Sequence, residues 1–319
     1  MPMPMPMPMK DPRLLQQRPY YYLGGHRGLT RLSSGEPFIV SAAARDVATW
    51  IILDGAWETH VDDVLMGFVR PGDVAIDVGA NMGYYSVKLG TRIGETGRLY
   101  AFEPNGDLAD VLFENIRIND LRHRTTLFRA AAGDVAEKAR LIYMANFPGG
   151  GRVLPPKRGP TKGYSTAEIE IVVIDDVLAD LDRVDLIKLD VEGFESRVLL
   201  GAKNLLDRSP DAVVVTEFVW DAWKKTGDPV RLLDDVARGR RLFHIGKDAS
   251  LSEIRPEERE ARLASGGMMY LLLVPQTPGR LAQLEALTGR RGKGGRGGRR
   301  GALSRALRRG AGRWTALLR

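Results

Sequence analysis

A dense group of charged residues follows one short apolar segment of the sequence. In IKLDVEGFE, Lys188 and Asp190 are two positions apart, so a strand would carry both side chains on one face. Glu192 and Glu195 follow closely in the chain. Because burying a charge without a partner is costly, this density indicates a site rather than a requirement of folding. Mutual repulsion between close carboxylates raises the pKa of one of them, so we predict Asp190 and Glu192 as candidate general bases.

A second chemical segment, DVGANMG, follows an apolar strand and opens a helix, which is where α/β sheets bind nucleotide-like ligands. A dinucleotide fingerprint beginning at Gly79 would require glycines at the positions of Asn81 and Tyr84, so the pattern disfavours a nicotinamide cofactor. It resembles instead motif I of class I S-adenosylmethionine-dependent methyltransferases. Glu103, in FEPN at the end of the next strand, is suited to accept hydrogen bonds from both ribose hydroxyls.

Short apolar strands alternate with helical patterns around these segments. Strands are predicted at about 73–78, 98–103, 125–133, 185–190, 211–218, 241–246 and 268–275, with helices between them. This alternation is typical of an α/β fold, a doubly wound, mostly parallel sheet of seven strands with helices on both faces. The helix after FEPN places Asn115 and Asn119 on one face, where we expect them to anchor it to the glycine loop.

Composition divides the chain into three parts. Residues 1–37, with a Met-Pro repeat, are expected to be disordered in part, residues 38–278 form the domain, and 279–319 form a basic tail rich in Gly and Arg. Residues 136–176 interrupt the domain with many Gly and Pro, and we predict a lid over the substrate there, with a plain surface loop as the alternative. EIEIVVID within that segment predicts a strand.

Together, DVGANMG, FEPN, LIKLDVEGFE, VLLGA and the upstream GAWE resemble the FkbM family of methyltransferases over about residues 40–275. The resemblance implies a class I methyltransferase fold of Rossmann-like type, S-adenosylmethionine as the methyl donor, and O-methylation of a hydroxyl on a sugar, glycan or secondary metabolite. It implies cofactor contacts by Asp77, Gly79, Ala80, Asn81, Gly83, Glu103, Pro104, Asn105, Gly133 and Asp134. It implies that the catalytic residues are Lys188, Asp190, Glu192 and Glu217, with Glu195 near them.

Several alternatives stay open. Lys188 either acts directly or pairs with Asp190 or Glu217 and holds the carboxylates in place. His60, which follows GAWE, is the rival general base, and Asp134 is equally suited to a turn after its strand. A metal site is not predicted, since no spacing requires one. A nicotinamide-dependent oxidoreductase and a nucleic-acid-binding protein acting through the tail are the competing functions.

The charge of the chain belongs to its tail. The 319 residues carry a net charge of +7, but residues 289–319 contain 11 basic and no acidic side chains, which leaves −4 for the rest. We therefore expect a small-molecule or glycan acceptor for the domain, and at most a weak polyanion contact for residues 289–319. Cysteine is absent and no apolar run has the length of a membrane helix, so we predict a cytoplasmic protein without disulfides.

Overall fold

The computed structural model describes residues 18–154 and 163–292. Its strands are β1 (Tyr21–Gly24), β2 (Arg27–Arg31), β3 (Pro37–Ser41), β4 (Val74–Val78), β5 (Arg98–Phe102), β6 (Thr125–Phe128), β7 (Ala131–Gly133), β8 (Glu137–Met144), β9 (Phe147–Leu154), β10 (Ser165–Val173), β11 (Leu186–Leu189), β12 (Val213–Val219), β13 (Arg240–Ile245), β14 (Leu251–Glu253) and β15 (Met268–Pro275). Its helices are α1 (Val47–Asp54), α2 (Thr59–Phe68), α3 (Tyr84–Ile93), α4 (Gly106–Ile118), α5 (Ile174–Val177), α6 (Glu195–Gly201), α7 (Lys203–Asp207), α8 (Trp220–Trp223), α9 (Pro229–Val236), α10 (Arg259–Ser265) and α11 (Pro278–Gly292).

The central sheet has the strand order β14-β13-β15-β12-β11-β4-β5-β6. Neighbours from β12 to β6 are parallel, whereas β15 pairs antiparallel with both β12 and β13, and β14 pairs antiparallel with β13. The predicted doubly wound α/β fold is confirmed, but the sheet is mixed and gains a short eighth strand at its edge. The sheet is mixed because β15 lies between β12 and β13 and runs antiparallel to both. The pattern of apolar residues in the sequence does not specify this position.

The two faces of the sheet bury separate apolar clusters. Leu186 packs with the side chains of α1–α4 and α11, whereas its neighbour Ile187 packs with those of α5–α10. The alternation of side chains along a strand therefore decides which layer each residue joins. Since both faces are covered by helices, all four residues of β11 are buried, as a central parallel strand requires.

The domain extends beyond both predicted boundaries. Strands β1 and β2, which precede residue 38, form a small antiparallel sheet in which β2 pairs with both β1 and β3. At the other end, α11 begins at residue 278, and Arg280 is buried there with its guanidinium donating to the carbonyls of Phe68 and Asp185. The sequence prediction placed both boundaries where composition changes, but packing continues past them.

The insertion at 136–176 is a sheet rather than a loop without structure. Strands β7, β10, β8 and β9 lie in that order, with β7 parallel to β10 and the other pairs antiparallel. Strand β10 confirms the strand predicted from EIEIVVID. Strand β9 contains Pro148 and three glycines, which its edge position tolerates because only one side of an edge strand must hydrogen-bond.

Three predictions fall on residues outside the described ranges. They are the disorder of the Met-Pro repeat, the part of the lid over the substrate at residues 155–162, and the polyanion contact of the tail beyond residue 292. Within residues 18–154 and 163–292, no helix has the length and apolar character to cross a membrane.

Candidate active site

Four adjacent strands place polar side chains on one face of the central sheet. Asp77 of β4 lies directly opposite Lys188 of β11 in the strand register, and Glu217 of β12 lies opposite Tyr270 of β15. Asp190 follows the end of β11, where its N–H donates to the carbonyl of Val78 at 3.1 Å. The strands thus bring together residues that are up to 193 positions apart in the chain.

Lys188 is the buried cation of this group. Its Nζ lies 3.4 Å from Asp190 Oδ2 and 3.8 Å from Asp77 Oδ1, and it donates to the carbonyl oxygen of Gly79 at 3.5 Å. The ammonium also stands 4.8 Å from the centre of the Tyr85 ring. Burial opposes its charge, but the carboxylates outweigh burial and raise the pKa of Lys188. Among the two partners considered for Lys188, the structure gives it Asp190.

Asp77 is fully buried at the end of β4. Burial raises its pKa, and the nearby Lys188 ammonium and the Ser86 hydroxyl, which donates at 2.6 Å, favour the ionised form. The carboxylate therefore depends on Lys188 to remain charged at this depth.

The glycine loop and Glu103 form one hydrogen-bonded unit. Glu103 Oε2 accepts from the backbone N–H of Asn81, and Oε1 accepts from that of Asn105, both at 2.8 Å. Asn105 in turn caps α4, its Oδ1 accepting from Asp107 N at 3.1 Å. Burial raises the pKa of Glu103 to about 7, against the effect of the two backbone donors. This carboxylate thus fixes the ends of two neighbouring strands to each other.

Gly79 packs against the turn that carries Asp190. Its φ of +76° is in the left-handed region, and a Cβ atom at this position would lie 1.9 Å from the carbonyl oxygen of Asp190. Only glycine therefore allows the two backbones to meet. Asn115 fixes the other side of the loop, donating at 2.8 Å to the carbonyls of Met82 and Ile39. The contact of Asn115 with the loop agrees with the anchoring role predicted for it, whereas Asn119 donates to the carbonyls of Pro37 and Asn115 instead of to the loop.

The turn after Asp190 is held by Glu195. One oxygen of this buried carboxylate accepts from the backbone N–H groups of Val191 at 2.9 Å and Gly193 at 3.2 Å. Glu192, between them, has a φ of +55°, which is uncommon for a residue with a side chain and typical of functional turns. Its side chain is partly open to solvent, and desolvation by the neighbouring protein atoms together with the charge of Asp190 raises its pKa.

Glu217 is buried among other carboxylates. It is 8% exposed, and burial together with the charges of Asp190, Glu195, Glu192 and Glu58 raises its pKa to about 10. The group is therefore neutral at pH 7 and can donate a hydrogen bond. Although these carboxyls share one end of the sheet, no three His, Asp or Glu residues in the two described ranges are placed to hold a metal ion together.

The structure adds Glu58 and Tyr270 to the predicted set. The Tyr270 hydroxyl donates to Glu58 Oε1 at 2.6 Å and lies 3.5 Å from Asp190 Oδ2. The Tyr85 hydroxyl lies 3.5 Å from Glu58 Oε2. Burial and the charge of Asp190 raise the pKa of Glu58 to about 7. GAWE was the sequence signal for Glu58, whereas Tyr270 is one aromatic residue in an otherwise apolar strand and carried no signal of its own.

The hairpin of β8 and β9 covers the glycine loop. The N–H of Gly149 donates to Asp46 Oδ2 at 2.8 Å, and that of Arg45 donates to the carbonyl of Asn146 at 2.9 Å. A Cβ atom on Gly149 would lie 2.6 Å from Nδ2 of Asn81. A glycine-rich strand thus touches the loop that the sequence assigns to the cofactor.

The remaining predicted residues make other contacts. Asp134 pairs with Arg197 at 2.5 Å, and Gly133 belongs to β7, which pairs with β10 rather than with the central sheet. Pro104 simply joins Glu103 to the cap of α4. His60, the rival base, packs edge-on against Tyr270 with ring centres 5.8 Å apart. The adenine contacts proposed for residues 133 and 134 therefore stay predictions.

Comparison with known proteins agrees with this geometry. A family model described as the methyltransferase FkbM domain matches residues 77–240, slightly more than half of the chain. The chain belongs to the FkbM methyltransferase family. The match begins at Asp77, at the end of the first central strand, and includes the glycine loop, Glu103 and the whole Lys188–Glu217 region, so the FkbM domain contains most of the site.

Three curated proteins of known name are similar to parts of the chain. Methyltransferase sdnD of Sordaria araneosa is 28% identical over 179 residues, which are 48% of this chain and 67% of that protein. The 31-O-demethyl-FK506 methyltransferase FkbM of Streptomyces tacrolimicus is 30% identical over 166 residues, 43% of this chain and 62% of that protein. The hexuronic acid methyltransferase AglP of Haloferax volcanii is 30% identical over 173 residues, 52% of this chain and 64% of that protein. The FkbM-like chain therefore spans about two thirds of the length of these relatives.

Proposed function

We propose that this protein transfers a methyl group from S-adenosylmethionine to a hydroxyl group of a sugar, glycan or secondary metabolite. One observation carries the proposal: the hydrogen-bonded unit of the glycine loop and Glu103 directly adjoins the Lys188–Asp190 pair. In an open α/β sheet, ligands bind outside the carboxyl ends of the strands. The same edge thus offers a cofactor side at β4 and β5 and an acceptor side at β11 and β12.

The residues on the cofactor side fit S-adenosylmethionine. Glu103 offers a carboxylate for the ribose hydroxyls, as the sequence motif implies. Two buried polar atoms here make no hydrogen bond within the described parts of the chain, Nδ2 of Asn105 and Oδ1 of Asp77. Asp77 Oδ1 has the Lys188 ammonium at 3.8 Å, whereas the donor on Asn105 has no such partner. Since buried polar atoms are normally paired, this donor favours a polar ligand at this edge, and it suits an acceptor atom of a nucleoside.

The residues on the acceptor side have separate tasks. When bound, S-adenosylmethionine supplies a methyl carbon made electrophilic by a sulfonium. An alcohol must lose its proton as it attacks, and Asp190 is the carboxylate best placed to take it, since Lys188 holds it at the end of β11. Neutral Glu217 can donate a hydrogen bond to an acceptor oxygen, and Glu192 can accept one. Alignment of the reacting atoms supplies the remaining rate enhancement.

The nature of the acceptor is inferred from the site and the relatives together. A hexuronic acid and a demethylated FK506 are the molecules in two of the relatives' names. The carboxyl groups of the site suit a polyhydroxylated molecule, because each can accept or donate hydrogen bonds.

Binding of the cofactor provides the first test. We expect calorimetry to detect S-adenosylmethionine binding to the wild type and at least a tenfold weaker affinity for Glu103→Ala. Glu95→Ala is the matched control, because Glu95 is an exposed glutamate that pairs with His123 and Arg124 away from the site. If the wild type gives no heat with the cofactor, the proposal is wrong.

Turnover provides the second test. The wild type should form S-adenosylhomocysteine when incubated with one of three alcohols: methyl glucuronoside, methyl glucoside or a demethylated macrolide. Mass spectrometry should show one added methyl group on oxygen in the product. Methylation of a nitrogen or carbon atom instead would contradict O-methylation while leaving methyl transfer intact. The polyanion contact of residues 289–319 and a cytoplasmic location rest on the sequence alone.

A further inference from the structure

Tyr270 lies between the carboxylates of Glu58 and Asp190. Its hydroxyl is 2.6 Å from Glu58 Oε1 and 3.5 Å from Asp190 Oδ2, and the side chain is almost fully buried. Glu58 reaches this position from the start of α2, whereas Tyr270 belongs to β15. Strand β15 therefore connects Asp190, the residue proposed as base, to Glu58, which belongs to a helical layer packed on the sheet.

The phenol has one hydrogen to donate, and the shorter distance assigns it to Glu58. No phenol hydrogen is then left for the longer contact, which joins the Tyr270 oxygen to Asp190 Oδ2. That contact becomes a hydrogen bond only when Asp190 itself carries a proton. Lys188 Nζ approaches the same Oδ2 atom at 3.4 Å.

Glu58 shows signs that its position serves more than folding. It is the N-cap residue of α2, yet its side chain makes no capping hydrogen bond. Its φ of +42° is a conformation that residues with side chains rarely adopt. Giving up a cap destabilises a helix, and residues with such strained backbones concentrate at functional sites. The carboxylate is directed to Tyr270 instead.

We propose that Tyr270 and Glu58 form a proton relay behind Asp190. Asp190 takes the proton of the acceptor hydroxyl as the oxygen forms its bond to the methyl carbon and the carbon–sulfur bond breaks. Rotation of the Asp190 carboxyl presents this proton to the Tyr270 oxygen, whose own proton passes to Glu58. The products are a methyl ether, S-adenosylhomocysteine and a protonated Glu58. This inference rests on the proposed methyl transfer.

The charged surroundings of Glu58 allow it to be the end of the relay. The titratable groups around it are Tyr85 of α3, Lys188 of β11, Asp190 and Glu192 of the turn after β11, Glu217 of β12, and Tyr270 itself, with His60 of α2 packed against Tyr270. Burial and Asp190 raise the pKa of Glu58 to about 7, so it can take up a proton near neutral pH and release it again.

Tyr85 offers a matched comparison for Tyr270. Both phenols contact Glu58, but Tyr85 does so through Oε2 at 3.5 Å, and its ring lies beneath the Lys188 ammonium. Tyr85→Phe keeps that ring and removes only a hydroxyl that, within the described ranges, hydrogen-bonds to Glu58 and not to Asp190. Tyr270→Phe removes the hydroxyl that connects the two carboxylates. The two variants therefore separate the relay from a general loss of polarity.

The kinetic test measures kcat and KM between pH 5.5 and 9 with methyl glucuronoside, methyl glucoside or the macrolide alcohol, whichever turns over. In the wild type, kcat should rise with pH to a plateau with an apparent pKa near 7. Tyr270→Phe and Glu58→Gln should lower kcat at pH 8 by 10- to 100-fold and lose this rise. Tyr85→Phe should keep it, and the KM and cofactor affinity of Tyr270→Phe should change less than threefold. A Tyr270→Phe enzyme with the wild-type profile would overturn the relay.

A second measurement needs no acceptor. In protein labelled with carboxyl-13C glutamate and bound to S-adenosylhomocysteine, the Glu58 signal, assigned from its loss in Glu58→Gln, should titrate near pH 7. Tyr270→Phe should raise this pKa more than Tyr85→Phe does, because it removes the shorter hydrogen bond. A Glu58 that remains protonated at pH 9 overturns the relay, since it could not accept a proton. Failure of the wild type to bind cofactor would instead contradict the proposed function.

Discussion

The affinity for S-adenosylmethionine should depend on pH through Glu103. This carboxyl is 5% exposed, and its pKa is raised to about 7 by burial. Hydrogen bonds from two ribose hydroxyls favour the ionised form, so bound cofactor lowers this pKa and binding at lower pH must expel a proton. The affinity is thus reduced by a factor of 1 + 10^(pKa − pH), roughly 11 at pH 6 and roughly 1.1 at pH 8. The expected difference is about tenfold, or about 1.4 kcal/mol.

Calorimetry at pH 6, 7 and 8, in two buffers of different ionisation enthalpy, measures both the affinity and the proton released. The wild type should release about 0.9 protons per cofactor at pH 6 and about 0.1 at pH 8, values that follow from the same titration. Glu103→Gln should bind more weakly and lose this dependence. Any titration of the cofactor's own amine appears equally in both proteins, and Glu95→Gln controls for the loss of a glutamate elsewhere.

An affinity that is the same at pH 6 and pH 8 in the wild type would refute this reasoning. So would a dependence that survives in Glu103→Gln, because the proton would then come from another group of the site. An affinity that falls with rising pH would show that the cofactor prefers the neutral carboxyl.

Three further predictions concern stability and the hairpin. The raised pKa of Glu217 means that the wild type loses stability as pH rises, because the carboxyl ionises more easily in the unfolded chain. Relative to the wild type, the free energy of unfolding of Glu217→Gln should therefore increase by up to about 2.7 kcal/mol from pH 6 to pH 8, measured by urea unfolding. A difference between the two proteins that does not change with pH would contradict this. Gly149→Ala should weaken cofactor binding about tenfold in calorimetry by displacing Asn81, whereas Gly150→Ala, whose Cβ would meet nothing closer than 3.9 Å, should not. Asn115→Ala should lose about 2–4 kcal/mol in the same unfolding assay, because its buried hydrogen bonds to two backbone segments disappear.

The placement of Asp77, Glu103 and Asp190 at one edge of the sheet could be predicted from the sequence because it depends on local patterns. Asp77 lies near the end of an apolar strand, Glu103 and Asp190 each directly follow one, and parallel strands end at the same edge of a sheet. The two-residue period alone placed Lys188 and Asp190 together. No knowledge of distant contacts was needed for these residues.

The pair of Glu58 and Tyr270 could not be found in this way. The two residues are 212 positions apart, and their contact depends on β15 entering antiparallel beside β12. Alternation predicts that Tyr270 shares a face with every second residue of its strand, but it does not predict which strand lies next to it. The hairpin was missed for a different reason: Gly and Pro indicate a loop unless the strand lies at an edge, and edges are decided by the tertiary fold.

The insertion of β15 between β12 and β13 also determines when this protein can finish folding during its synthesis. Until residue 275 has left the ribosome, the apolar edges of β12 and β13 have no strand between them. Open strand edges of this kind pair readily with other chains. A chain truncated before residue 268 should therefore aggregate rather than form a less active enzyme, because the missing strand β15 fills the gap between β12 and β13 and also carries Tyr270.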